Sequence, residues 1–70
     1  MSRYTLRVND NINCKDEILE ATGILSKGDY LAIYTANDIT KQSILGILDN
    51  NQIGYNHVYS DGSEYILAKK

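Results

Sequence analysis

The chain has 70 residues, 43% of them hydrophobic and 23% charged, a composition that predicts one small globular domain with no second core. Its net charge of −2 disfavours classes of protein that bind nucleic acid or an anionic membrane surface mainly through positive charge. The single cysteine, Cys14, excludes an internal disulfide, and with one histidine there is no Cys/His cluster of zinc spacing.

The N-terminal residues and the cysteine content bear on where the protein works. The opening segment, MSRYTLRVND, lacks the apolar core of a signal peptide, and no apolar run is long enough to span a membrane. A single cysteine is typical of a reducing compartment. We therefore expect a cytoplasmic protein that does not enter the membrane.

Two different periodicities predict the first strand and the first helix. Residues 3–8 (RYTLRV) alternate in polarity, which predicts a half-buried strand with Arg3 and Arg7 on its polar face. A helix is expected to begin near Asn13, a capping residue, and to end at the segment SKGD, where Gly28 can adopt a left-handed conformation. The expected apolar stripe of this helix is Ile18, Leu19, Ala21, Thr22 and Leu25.

The middle of the chain predicts a buried strand followed by a second helix. Residues 29–36 (DYLAIYTA) are nearly continuous in apolar and aromatic side chains, which favours a central position in a sheet. Asn37 or Asp38 is expected to cap a helix that runs to about Asn50. Its expected apolar stripe is Ile39, Ile44, Leu45, Ile47 and Leu48.

The last twenty residues predict a β-hairpin, with the turn at Asp61-Gly62. A two-residue turn at that point places Val58 opposite Tyr65, Tyr59 opposite Glu64, and His57 opposite Ile66. The whole order is β-α-β-α-β-β, and right-handed crossovers place both helices on one side of the sheet. The predicted fold is therefore a single α/β domain over residues 1–70. We expect a two-layer sandwich, a four-stranded mixed sheet with two helices on one face.

Three blocks of the sequence carry a resemblance to a known family. They are YTLR at residues 4–7, KGDYLAIYTANDITKQSI at 27–44, and DGSEYILAKK at 61–70. Their combined spacing resembles the TusA/SirA-like family of small sulfur-carrier proteins over nearly the whole chain. The resemblance implies the same two-layer α/β domain.

The chain departs from that family at its functional motif. The family's signature is Cys-Pro-x-Pro at the start of the first helix, with a cysteine that carries a persulfide. Here the corresponding segment contains NINC, and the chain has no proline. Aligned by spacing, Asn11 stands at the position of the family's cysteine and Cys14 at that of its second proline, while Arg7 matches a basic residue that often precedes the motif. The resemblance thus implies a retained fold without the persulfide chemistry.

Cys14 is expected in the first turn of the first helix, where three interpretations remain. Free amides at a helix N-terminus stabilise a thiolate, which would suit a sulfur acceptor. Against that, Asp10, Asp16 and Glu17 surround it with negative charge, and Lys15 is the only nearby cation. A small packing residue is the favoured interpretation, ahead of sulfur transfer and of a metal or redox role.

The tyrosines are the most prominent surface feature, because the chain has six of them and no Phe or Trp. Tyr30 and Tyr34 share one face of the second strand, and Tyr55 and Tyr59 share one face of the third. Tyrosine suits half-exposed strands, but it is also enriched at protein interfaces. Stacking of nucleic-acid bases is the least favoured interpretation, because the basic residues it needs are few.

These patterns favour a non-catalytic TusA/SirA-like domain that acts as a protein-interaction or regulatory module. The alternative is a diverged sulfur-transfer protein that uses Cys14. His57 has no predicted nucleophile or orienting carboxylate beside it, so catalysis is not favoured, and no cofactor or metal is predicted. The expected partner is another protein, or a second copy of this chain, rather than nucleic acid. The candidate partner-binding residues are Arg7, Asn11, Cys14, Tyr30, Tyr34, Tyr55 and Tyr59.

Overall fold

The computed structural model describes residues 2–8 and 14–70. The elements follow the predicted order, which is confirmed: strand β1 (Arg3–Arg7), helix α1 (Cys14–Gly23), strand β2 (Tyr30–Tyr34), helix α2 (Asp38–Asn50), strand β3 (Gly54–Ser60) and strand β4 (Ser63–Lys69). The expected cap at Asn13 lies outside the described residues.

The strands form one mixed sheet in the order β1-β2-β4-β3. β1 and β2 are parallel, while β4 lies antiparallel between β2 and β3. Ile18 of α1 and Leu48 of α2 belong to the same buried cluster as Ile33 of β2 and Ile66 of β4. Both helices therefore cover the same face of the sheet, and the predicted two-layer α/β sandwich is confirmed.

The hairpin has the predicted register. Val58 pairs with Tyr65 and Tyr59 with Glu64, and the turn lies between the pair of Ser60 and Ser63. Both turn residues have positive φ, 51° at Asp61 and 78° at Gly62. Two successive positive φ values match the right-handed twist of the flanking strands, which explains why Asp-Gly specifies this turn.

Helix α2 has the predicted limits and one correction to its predicted stripe. The Asn37 side-chain oxygen accepts hydrogen bonds from the amides of Ile39, at 2.8 Å, and Thr40, at 3.2 Å. Ile44 and Leu48 are buried as expected, but Ile39 is 68% exposed. Thr40, the next residue in the same turn, is buried instead, four positions before Ile44. Ile39 therefore lies to the side of the row that packs on the sheet, and it does not belong to the core.

Helix α1 ends earlier than predicted. Its last residue is Gly23 rather than a residue of SKGD, in keeping with the low helix propensity of glycine. Gly28 does have a positive φ of 93°, but it uses it in the turn before β2. That turn is held by Asp29, whose carboxylate accepts hydrogen bonds from the amides of Ser26 at 2.9 Å and Ser2 at 3.0 Å. The local turn therefore overrides the continuation of the helix.

Candidate binding surface

The sheet has one face that points away from the helices, which we call the open face. Its members follow from the alternation of side chains along each strand and from the pairing register. Leu31 and Ile33 face the helices and are buried, so the neighbouring positions of β2 lie on the open face. In the described strands this face carries Arg3, Thr5, Arg7, Tyr30, Ala32, Tyr34, Gly54, Asn56, Val58, Ser60, Ser63, Tyr65, Leu67 and Lys69.

Four side chains on the open face form a continuous stack, which we call the Arg–Tyr array. The Arg7 guanidinium carbon lies 5.2 Å from the ring centroid of Tyr34. The Tyr34 ring lies against the Tyr65 ring with a centroid distance of 5.0 Å and an interplanar angle of 32°. The Arg3 guanidinium carbon lies 5.2 Å from the centroid of Tyr65. Each contact is within the range at which guanidinium–ring and ring–ring attraction is effective.

The strand order explains why these residues meet. β2 and β4 are the two central strands, so Tyr34 and Tyr65 stand side by side in the middle of the sheet. Arg7 pairs with Tyr34 across the parallel β1–β2 ladder. Ala32 is fully buried although it lies on the open face, since the larger side chains around it cover it. The open face thus has two tyrosine rings at its centre and two arginines on β1, at one edge of the sheet.

Charge is divided unequally between the two layers of the fold. Arg3, Arg7 and Lys69 lie on the open face, and no Asp or Glu occupies an open-face position of the described strands. The chain's only two arginines are therefore both on this face. The helices carry acidic residues instead, namely Asp16, Glu17, Glu20, Asp38 and Asp49. The net charge of −2 conceals a positive sheet face and a more acidic helical layer.

The predicted tyrosine pairs lie on opposite faces of the sheet. Tyr30 and Tyr34 are on the open face, whereas the register places Tyr55 and Tyr59 on the helix side. The Tyr55 hydroxyl donates a hydrogen bond to Asp49 at 3.1 Å, and this bond, together with desolvation, raises the pKa of Tyr55. Tyr59 lies at the end of β3 and is 76% exposed. The open face therefore does not include the second predicted pair.

Cys14, the first residue of α1, does not lie on an exposed surface. Cys14 is 3% exposed and belongs to the buried core cluster. Asn11, which stands at the position of the related family's cysteine, lies outside the described residues. Of the predicted junction residues, the structure therefore places Arg7 in the array and Cys14 in the core.

A polar cleft of about 260 Å³ lies where β2 leads into α2. The Lys41 ammonium forms an ion pair with Glu64 there, which raises the pKa of Lys41 and lowers that of Glu64. Asp38 and Thr35 line the same cleft. The ion pair neutralises the two charges and joins α2 to β4. We therefore assign it a role in the stability of the fold and not in binding.

The sequence interpretation missed Tyr65, Arg3 and Lys69 as members of the surface. The alternation of β1 places Arg3 beside Arg7, and the hairpin register places Tyr65 opposite Val58. What was missing was the knowledge that β4, not β3, neighbours β2. That order brings Tyr65 to Tyr34 and Lys69 to Tyr30.

The fold and the surface define a small two-layer α/β domain with a cationic and aromatic sheet face. No family model matches the chain, and no curated protein or solved structure matches it either. Neither helix in the described part is both long and apolar enough to cross a membrane. Across residues 2–8 and 14–70, no group of three or more His, Cys, Asp or Glu side chains is arranged to hold a metal ion.

Proposed function

We propose that this chain is a non-catalytic binding module with a TusA/SirA-like fold, and that it recognises a partner protein through the open face. The observation that carries the proposal is the Arg–Tyr array. Arginine and tyrosine are among the residues that most often dominate the binding energy of protein interfaces. In the array they are already ordered against each other, so less side-chain entropy is lost when a partner binds.

The sulfur-transfer alternative has weaker support. It requires the Cys14 thiolate to reach a sulfur donor and then an acceptor, and reactive cysteines are accessible to solvent. Cys14 is instead packed with Ile18 and other core residues. A carrier role would need the first turn of α1 to open in every transfer cycle. The open face needs no such rearrangement.

Site-directed photo-crosslinking tests the proposed function. The photoreactive residue benzoylphenylalanine replaces Thr5, an exposed open-face position between Arg3 and Arg7, in cells that produce the protein naturally. The matched control carries it at Gln42, which is exposed on α2. We expect adducts of discrete mass from position 5 that weaken when Arg3 and Arg7 are both replaced by Gln. Absence of adducts at position 5, or the same adducts from both positions, would contradict the proposal.

A further inference from the structure

In the part of the chain that the structure describes, the N–H donors of the two guanidinium groups of the Arg–Tyr array make no hydrogen bonds. Arg3 and Arg7 contact ring faces, and within the described chain neither has a carboxylate partner or a hydrogen-bond acceptor. A guanidinium has five N–H donors in a planar fork that matches a carboxylate. Stacking on a ring uses the face of the group and not these donors. The array therefore presents oriented donors for an anionic group.

The geometry of the rings disfavours nucleic acid as the occupant. A base that stacks on a protein surface needs an accessible ring face. The Tyr34 ring contacts Arg7 and Tyr65, and the Tyr65 ring contacts Tyr34 and Arg3. The ring faces of the array are thus engaged by each other and by the guanidinium groups. Among the open-face residues of the described strands, only three are cations that could contact phosphates.

A second copy of the chain is also a poor occupant. Symmetric pairing of two open faces would bring the cations Arg3, Arg7 and Lys69 of one copy onto a face whose charged side chains, in the described strands, are again all cations. Like charges brought together at an interface oppose association. The charge of the open face therefore requires a partner of opposite sign.

Building on the proposed function, we infer that the partner is an extended acidic segment of another protein. Its Asp or Glu carboxylates contact the guanidinium groups of Arg3 and Arg7, and its apolar side chains lie against Tyr30 and Leu67 beside them. Lys69, on the same face, adds attraction along the segment. In an extended segment every second side chain faces the same way, so a charged face with apolar positions between its cations fits a segment in which those inward-facing positions are in turn acidic and apolar.

A fluorescence anisotropy measurement on the full chain tests this inference. The probe is a labelled peptide of about eight residues with Ser at every second position and Glu and Leu in turn at the positions between, so that Glu and Leu share one side of the extended chain. Extended, it spans about 26 Å, close to the 28 Å breadth of the molecule. A peptide with Gln in place of Glu and a thymidine oligonucleotide of equal length are the comparison probes. The Arg3→Gln/Arg7→Gln variant tests the array. The Lys15→Gln/Lys27→Gln variant, altered at two exposed lysines outside the open face, removes the same charge.

We expect the Glu peptide to bind about tenfold more tightly than the Gln peptide, and the double arginine variant to lose about tenfold in affinity. The double lysine variant should stay within about twofold of the wild type, because distant surface charges are screened. Equal binding of the two peptides would overturn the inference, as would equal losses in the two variants. Tighter binding of the oligonucleotide, lost in the arginine variant, would overturn the acidic partner but leave the open face as the binding surface.

Two further measurements apply even where the double arginine variant fails to fold. Binding of the Glu peptide to the wild type should weaken steadily as salt is added, and affinity independent of salt would overturn the inference. The Arg3→Lys/Arg7→Lys variant keeps both charges but loses the planar fork, so we expect affinity to fall severalfold. Unchanged affinity would show that the planar guanidinium groups are not required for recognition of the peptide. The crosslinking at position 5 is read independently of the peptide, so the two proposals can fail separately.

Discussion

Tyr34 and Tyr65, on strands far apart in sequence, stack at a centroid distance of 5.0 Å in the middle of the sheet. β2 and β4 bring them together, and Arg7 and Arg3 stand at the two ends of the pair. An aromatic pair on an uncovered face is exposed to solvent on one side, yet it orders both arginines. The pair therefore links the stability of the sheet to the arrangement of its charged groups.

The stacking should be measurable as a coupling energy. In a double-mutant cycle with Tyr34→Leu and Tyr65→Leu, we expect the two rings to couple by about 0.5–1.5 kcal/mol beyond their separate contributions. Urea unfolding of the four proteins gives the value. The control cycle combines Tyr34→Leu with Tyr59→Leu. Its two effects should be additive, because the Tyr59 ring is 76% exposed and outside the array. Additive effects of Tyr34→Leu and Tyr65→Leu would show that the rings do not stabilise each other.

The burial of Cys14 predicts slow alkylation of the folded chain. We expect iodoacetamide to label the thiol at least about tenfold more slowly in the native protein than in denaturant, because the reagent must wait for local opening. The rate is followed by mass spectrometry over a range of pH. Fast labelling of the native chain, together with loading of a persulfide from polysulfide, would restore the sulfur-transfer alternative.

The cap of α2 should contribute measurably to stability. Asn37→Ala removes the acceptor for the amides of Ile39 and Thr40, and we expect a loss of about 1 kcal/mol in the free energy of unfolding. Asn37→Asp keeps an acceptor and adds negative charge at the positive end of the helix dipole, so it should retain most of that stability. The exposed residue Gln42 serves as control, since Gln42→Ala should change stability by less than about 0.5 kcal/mol. Equal effects of the two Asn37 substitutions would argue against the cap.

The carboxylate of Asp29 should make the fold sensitive to acid. The hydrogen bond from the backbone amide of Ser26, followed in importance by the one from Ser2, holds the pKa of Asp29 below its ordinary value. In the unfolded chain the pKa is about 3.9, so this contribution is complete above that pH and is lost as the pH falls through the folded-state pKa. Stability measured between about pH 6 and about pH 3 should therefore fall less steeply in Asp29→Asn than in the wild type.

The acid dependence of Asp29→Asn is interpreted with a control variant and with a second carboxylate in mind. Glu20→Gln, at an exposed position of α1 beyond its first turn, controls for loss of a surface charge and should keep the acid dependence of the wild type. The pKa of Glu64 is also lowered by Lys41, so Asp29→Asn should retain part of the slope. A wild-type slope in Asp29→Asn would mean that the hydrogen bonds to Asp29 do not distinguish the folded from the unfolded state.

Thr40 offers a stabilising substitution. It is 1% exposed, and its hydroxyl oxygen has no hydrogen-bond partner among the described residues. A buried polar group without a partner is destabilising, and Val has nearly the same shape. We expect Thr40→Val to raise the free energy of unfolding by about 1 kcal/mol. Thr40→Ser keeps the hydroxyl and loses a buried methyl, so it should lower stability, and the opposite order of the two variants would contradict this assignment.

The fold could be predicted because its signals are local. The Asp61-Gly62 turn fixed the register of the hairpin through its backbone requirement, and the alternation in β1 placed Arg3 and Arg7 on one face. The end of α1 could not be predicted in the same way. The segment SKGD, in which the helix is expected to end, forms a separate turn before β2, and that turn is held in part by an amide hydrogen bond from Ser2 to Asp29, a contact between segments far apart in the sequence.

The binding surface could be predicted only in part. Alternation tells which residues of one strand share a face, but not which strands are neighbours. Alternation therefore identifies Tyr34 without Tyr65, and it does not separate Tyr34 from Tyr55 and Tyr59, which lie on the other face. The total charge was misleading for the same reason, because opposite charges separate into two layers only when the strands and helices are assembled.

Nuclear magnetic resonance of the side chains tests the central claim most directly, namely that the open face is the binding surface. The chain's only arginines lie in the array and its aromatic rings are almost all tyrosines, so their signals report on the two faces separately. On addition of the Glu peptide, we predict shifts of the Nε–H signals of both arginines and of the ring signals of Tyr34 and Tyr65, with Tyr55 and Tyr59 unchanged. Shifts of the Tyr55 and Tyr59 ring signals, with no change in the signals of the two arginines, Tyr34 and Tyr65, would contradict the claim that the open face binds the partner.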